Sequence, residues 1–192
     1  MKRPERKPPA AAHAISAHGE DAPAETARAR ATATLHASAV AIGEAGILIL
    51  GAPGSGKSTL ALHLIDAAGR RGHFARLVGD DRIEISVRGK RAILRPHPAI
   101  AGKVEKRWQG IVNEAHEPAA ALALTAELVD KIELLRMPET PRPMDLAGVI
   151  AAPRLPLPVF WPPGALALRI LDLVERDDRS YLMKSANFGL AN

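Results

Sequence analysis

Gly51-Ala52-Pro53-Gly54-Ser55-Gly56-Lys57-Ser58 sets two glycines, a lysine and a hydroxyl in the order G-x-x-x-x-G-K-[ST]. That spacing suits the phosphates of a nucleotide. The glycines admit backbone angles closed to other residues, so successive N–H groups can converge on an anion. A helix starting at the end of the loop adds the partial positive charge of its N-terminus. Lys57 is then placed to reach the β- and γ-phosphates, and the Ser58 hydroxyl to ligate Mg²⁺. The expected nucleotide site is therefore Gly51, Ala52, Pro53, Gly54, Ser55, Gly56, Lys57, Ser58 and Thr59.

A second group capable of chemistry is Asp80-Asp81, 23 residues beyond Lys57 at the end of an apolar run. Adjacent residues leaving a strand point to opposite sides. One carboxylate can then serve a metal facing Ser58 while the other takes a proton from an acceptor hydroxyl. The residue types leave open which does which, and a polar turn capping the strand accounts for the pair about equally well. By themselves, His36 reads as an ordinary strand-end histidine and Glu105 as surface charge.

These residues need elements to hold them. Ile47-Leu-Ile-Leu50 is an all-aliphatic run, as in a strand buried on both faces. Ser58–Ala68 puts Leu60, Leu64 and Ile65 on one helical face, with Gly69 as the expected stop. Upstream, order is expected from Leu35, with a strand over His36–Ile42 turning at Gly43–Gly46. Phe74–Val78 is the strand that ends on the aspartates. Ile83–Val87 and Ala92–Leu94 flank Arg88-Gly-Lys-Arg91 as a hairpin. Ala101–Gln109 is expected as an irregular loop before a strand over Gly110–Val112, while Ala119–Val129 fits strand or helix. Prolines between Met137 and Pro163 favour short strands and turns, and Ala165–Val174 has helical spacing. The class is α/β, a P-loop nucleotide-binding core dominated by a mixed β-sheet.

Composition narrows the remaining classes. The 192 residues carry 47% hydrophobic but only 3% aromatic side chains, so the core must be aliphatic. The net charge of +5 comes from scattered basic residues with no nucleic-acid-binding motif, so no nucleic acid is expected. No apolar window reaches the roughly 18 residues of a membrane span, and the basic N-terminus lacks the apolar stretch of an export signal. The expected location is cytoplasmic. With no cysteine there is no disulfide framework and no thiolate metal site.

Between about Thr34 and Val174 the chain resembles the C-terminal catalytic domain of HPr kinase/phosphorylase, in a short form without the N-terminal domain. The elements fall in order: Leu35-His36, the loop Gly51–Thr59, Arg76-Leu-Val-Gly-Asp-Asp-Arg-Ile83, Ile100–Val112 with Glu105 to Gly110, and Leu135-Arg-Met-Pro138. The resemblance implies an HPr kinase/PEP carboxykinase-like fold. It also implies ATP-dependent (or other nucleoside triphosphate) phosphorylation of a serine on the carrier protein HPr, with Mg²⁺ and with reverse phosphorolysis yielding pyrophosphate. Carried onto this chain, it makes Asp80 the proton acceptor and His36, Lys57 and Arg136 catalytic. Ser58 and Glu105 match metal ligands, and Asp81 is then expected at the metal. A homo-oligomer, a hexamer, is implied as well. The chain would divide into an extension (1–33), a catalytic domain (34–176) and a tail (177–192). At position 108 it departs from the family's E-x-R-G-x-G, carrying Trp108 in place of the first glycine. Pro156–Gly164 only loosely matches the region used for dephosphorylation, so kinase activity is expected ahead of phosphorolysis.

Overall fold

In the computed structural model, residues 32–89, 91–130 and 143–176 are described. The expected extension and tail, and with them Arg136, lie outside the described residues.

The site hangs from one sheet. β2 (Ser38–Ile42) turns at Gly43-Glu44 into β3 (Ala45–Gly51), antiparallel, and β3 delivers the chain into the phosphate loop. β4 (Ala75–Gly79) lies antiparallel on the other side of β2. β9 (Ala120–Val129) runs parallel to β3, and β12 (Arg154–Pro158) runs parallel to β9. β5 (Ile83–Arg88) and β6 (Arg91–Pro96) form the expected hairpin, with β1 (Thr32–Leu35) on its outer edge. The sheet is mixed, as the sequence suggested, although its first strand starts three residues ahead of the expected Leu35.

Helices α1 (Lys57–Arg70) and α2 (Pro163–Glu175) cover one face. Leu60, Leu64, Leu166 and Ile170 are buried there against Ile47, Ile49 and Leu124. Leu48, Val78, Ile85 and Leu94 point to the other face. There they meet Leu146 and Ala152 of the small hairpin β10 (Met144–Leu146) and β11 (Ile150–Ala152). Burying a side chain of this size contributes about 1.5–3 kcal/mol, so an aliphatic core can hold the fold without aromatics. Arg71 bonds Asp172 at 3.0 Å and Glu175 at 2.8 Å, tying the end of α1 to α2. Arg71, then His73, hold the Glu175 carboxyl below the usual carboxylate range.

Two expectations change and one open reading is resolved. Helix α1 passes Gly69 and ends at Arg70, because its packed face outweighs the roughly 1 kcal/mol cost of a helical glycine. Ala119–Val129 resolves as the central strand. Its alanines and leucines suit a helix as well as a strand, and a register shift opposite Gly46/Ile47 switches faces along it. Ala120 and Leu122 pack on the β10–β11 side, whereas Leu124, Ala126 and Leu128 pack under the helices. Finally, Ala101–Gln109 is not irregular throughout. Lys103–Lys106 is a strand, β7, paired with β8 (Gly110–Asn113) in a hairpin standing off the main sheet. Val104 is the only residue of these two strands that is fully buried, too little periodicity to announce a strand.

Gly102 sets that hairpin's root. Its φ is +71°, and a Cβ there would stand 2.6 Å from His116 Nδ1. The Glu114 N–H donates to its carbonyl at 2.8 Å. Gly102→Ala is expected to destabilise the fold by about 1–3 kcal/mol, from the left-handed backbone and the clash together. A urea titration that leaves the midpoint unchanged would show that the root relaxes freely.

Candidate active site

β3, β9 and β12 are parallel and end at the same edge of the sheet, the edge at which ligands bind in open α/β sheets. The loop leaves β3 there, and α1 begins at Lys57 with Gly56 before it at φ +97°. Gly54, at φ +76°, and Gly56 have no atom within 4 Å of where a Cβ would stand, so space lies open above the loop backbone. That cradle fits a phosphate chain. The Lys57 ammonium donates to the carbonyls of Gly51 and Ala52, each at 3.2 Å. Burial pulls its pKa below the usual lysine value, against the opposing charges of Asp80 and then Asp81.

The aspartates separate as adjacent strand-end residues should. Asp80 is buried, and its Oδ1 accepts from Ser58 Oγ at 2.9 Å and Ser38 Oγ at 2.5 Å. Asp81 takes the left-handed conformation, φ +67°, and lies exposed with its Oδ1 2.8 Å from His36 Nδ1. The carboxylate beside the magnesium-type serine is therefore Asp80, while Asp81, expected at the metal, faces His36. A cavity of about 540 Å³ unites these groups. It is lined by the loop, by Leu62 and His63 of α1, and by Glu105, Lys106 and Arg107 of β7 and its turn.

Thus His36, Lys57, Ser58, Asp80, Asp81 and Glu105 converge, and so do Pro53, Gly54, Gly56 and Thr59. Gly51, Ala52 and Ser55 shape the loop without lining the cavity. The Ser55 hydroxyl is instead buried without a hydrogen-bond partner among the described residues. Ser38, Leu62, His63, Lys106 and Arg107 were not among the expected site residues. Ser38 stands two residues beyond His36, Leu62 and His63 stand four from Ser58 and Thr59 on a helix, and Lys106 follows Glu105 directly.

Among the described residues no three His, Asp or Glu side chains form a cluster able to hold a metal. Mg²⁺ needs no such cage, since it takes one or two carboxylates and completes its shell with phosphate oxygens and water. Ser58 beside Asp80, with Glu105 lining the same cavity, fits that ion.

Residues 28–118 match the family described as HPr Serine kinase C-terminal domain. Over those residues the chain is similar to an HPr kinase C-terminal domain. The match holds the phosphate loop, both aspartates and the β7–β8 hairpin. Over 84 residues the chain is 46% identical to the HPr kinase/phosphorylase of Treponema pallidum (strain Nichols), covering 43% of this chain and 24% of that protein. For the Limosilactobacillus reuteri (strain DSM 20016) HPr kinase/phosphorylase the figures are 40% over 81 residues, 42% and 23%. The match thus spans about a quarter of these relatives' length. The structure of the Hpr(Ser) kinase/phosphatase from Coxiella burnetii superposes with a TM-score of 0.60 at 28% identity, over 77% of this chain and 97% of that one. The HPr-kinase fold therefore extends beyond the stretch matched by sequence.

Proposed function

We propose that this chain is an ATP-dependent protein serine kinase of the HPr kinase type, with an HPr-like phosphocarrier as acceptor and phosphorolysis as a second activity. The observation that carries it is the Asp80 carboxylate pinned beside Ser58, in one cavity with Lys57, His36 and Glu105. Phosphoryl transfer asks a protein mainly for positioning and charge neutralisation. The loop N–H groups and Lys57 bind and neutralise the phosphates. Asp80 takes the acceptor serine's proton as that oxygen bonds to the γ-phosphorus and the bond to the bridging oxygen breaks, releasing ADP. In reverse, Asp80 returns the proton while inorganic phosphate attacks and pyrophosphate leaves. Mg²⁺, when held by Ser58 and Glu105, supplies charge neutralisation across the phosphates. Arg136 is proposed as a further cation in this chemistry by resemblance alone. The proposed setting is the cytoplasm, and the proposed assembly a homo-oligomer, with six copies by resemblance. No described helix is long and apolar enough to cross a membrane.

The test is incubation with γ-labelled ATP and HPr, followed by mapping of the label. A labelled HPr serine supports the proposal. Nucleotide turnover with HPr unlabelled points to another acceptor, and tight binding without turnover reduces the chain to a nucleotide-sensing module.

One observation favours an acceptor differing from the family's usual one. Trp108, at the tip of the β7–β8 hairpin, is fully exposed at φ +69°, a conformation glycine takes freely and a bulky residue rarely holds. Beside it Ile111 is 73% exposed. Left-handed backbone costs a side chain about 1–2 kcal/mol, and such strain tends to persist where function needs it. An exposed tryptophan next to the cavity has the character of a binding hot spot. Trp108→Gly is expected to shift stability by no more than about 1 kcal/mol, since relieved strain offsets glycine's added chain entropy. Its kcat/KM for the protein acceptor should change about tenfold or more, with ATP affinity and basal hydrolysis nearly constant. Equal changes in all three would make Trp108 a packing residue.

A further inference from the structure

We infer that Asp81 is a positioning residue for His36, fixing which ring nitrogen the histidine turns to the cavity, rather than a ligand of the metal. The inference deepens the proposed function, and its kinetic arm alone rests on that function. His36 Nδ1 stands 2.8 Å from Asp81 Oδ1, and since a carboxylate has only acceptors to offer, that approach favours the ring form with hydrogen on Nδ1. Nε2 is left for the cavity, which His36 lines. Free neutral imidazole favours the opposite tautomer, with hydrogen on Nε2, so the carboxylate selects a form the ring would not adopt by preference. An aspartate buttressing a histidine in this way is a recurrent device of acid–base and electrostatic catalysis.

The backbone is bent to make this contact. Asp81 is one of three non-glycine residues with positive φ among the described residues, and aspartate is among the side chains that tolerate that region. The Ala37 N–H donates to the Asp81 carbonyl at 3.3 Å, and the Arg82 N–H to the Asp80 carbonyl at 2.8 Å, locking the turn against the segment that carries His36. Meanwhile Ser58, the metal-type hydroxyl, is engaged by Asp80. The turn thus gives its two carboxylates different partners: one beside the phosphate loop, one behind the histidine.

Asp81→Gly tests this cleanly, because glycine accepts the left-handed backbone and only the carboxylate is lost. The primary readout is the ¹⁵N spectrum of the His36 ring at about pH 8, above the ordinary histidine range. The native chain should show hydrogen on Nδ1, and Asp81→Gly should move it toward Nε2. An unchanged ring spectrum overturns the inference, whether or not HPr proves to be the acceptor. The kinetic arm expects Asp81→Gly to lower kcat about 10–100-fold, the usual cost of losing a residue that orients a functional histidine. ATP affinity and Mg²⁺ dependence should hold. In a His36→Ala background the same substitution should add nothing. A further loss in that background, or a shift in the Mg²⁺ requirement, would place Asp81 on the metal and overturn the inference.

Discussion

Asp80→Asn is expected to cut phosphoryl transfer by about 10²–10⁴-fold, the range for loss of a general base, while ATP affinity stays within a few-fold. The structure makes the substitution unusually discriminating. Asparagine keeps an Oδ1 that can accept from Ser38 and Ser58, so the two bonds holding the side chain are retained and the loop stays in place. What disappears is the capacity to take a proton. Losing the negative charge near Lys57 should not weaken nucleotide binding, since that charge competes with phosphate for the ammonium. Single-turnover transfer rates, with nucleotide affinity measured separately, resolve the two effects. Wild-type transfer in the variant would remove Asp80 as the base.

Lys57→Ala is expected to weaken Mg-nucleotide binding about 10–100-fold, corresponding to charge-assisted hydrogen bonds worth about 1.5–3 kcal/mol. The lysine is buried and held by two loop carbonyls, so it stands over the cradle rather than sweeping through solvent. An ammonium already stripped of much of its water has little left to lose on meeting a phosphate, and its charge acts through a poorly screened medium. Alanine removes the charge and leaves the Gly51 and Ala52 carbonyls without that donor. Titration calorimetry on the folded variant measures the change. Affinity equal to the native chain's would sever the loop from nucleotide binding, and every later step of the mechanism with it.

Much of the site was legible because its signals are local. The phosphate loop occupies consecutive residues, and the strand before it and helix after it have unmixed patterns, four aliphatics in a row and a single apolar stripe. The Asp80-Asp81 pair ends an equally plain strand. The β7–β8 hairpin was harder, since one buried valine and a strained tryptophan leave no periodicity to read. The central strand β9 was harder to read because it is rich in alanine and leucine, which are good helix formers.

By itself the sequence determined the glycine-rich loop between strand and helix, the α/β class and the family to which the domain is similar, because each depends on residue types at fixed short spacings. Only the tertiary structure decided the partners of the two aspartates. Asp80 meets Ser58 across 22 residues and Ser38 across 42, and Asp81 meets His36 through a left-handed turn. Identical side chains at adjacent positions carry no local mark of difference. They are told apart by which neighbours the packed sheet brings to each, and that is a property of the three-dimensional fold.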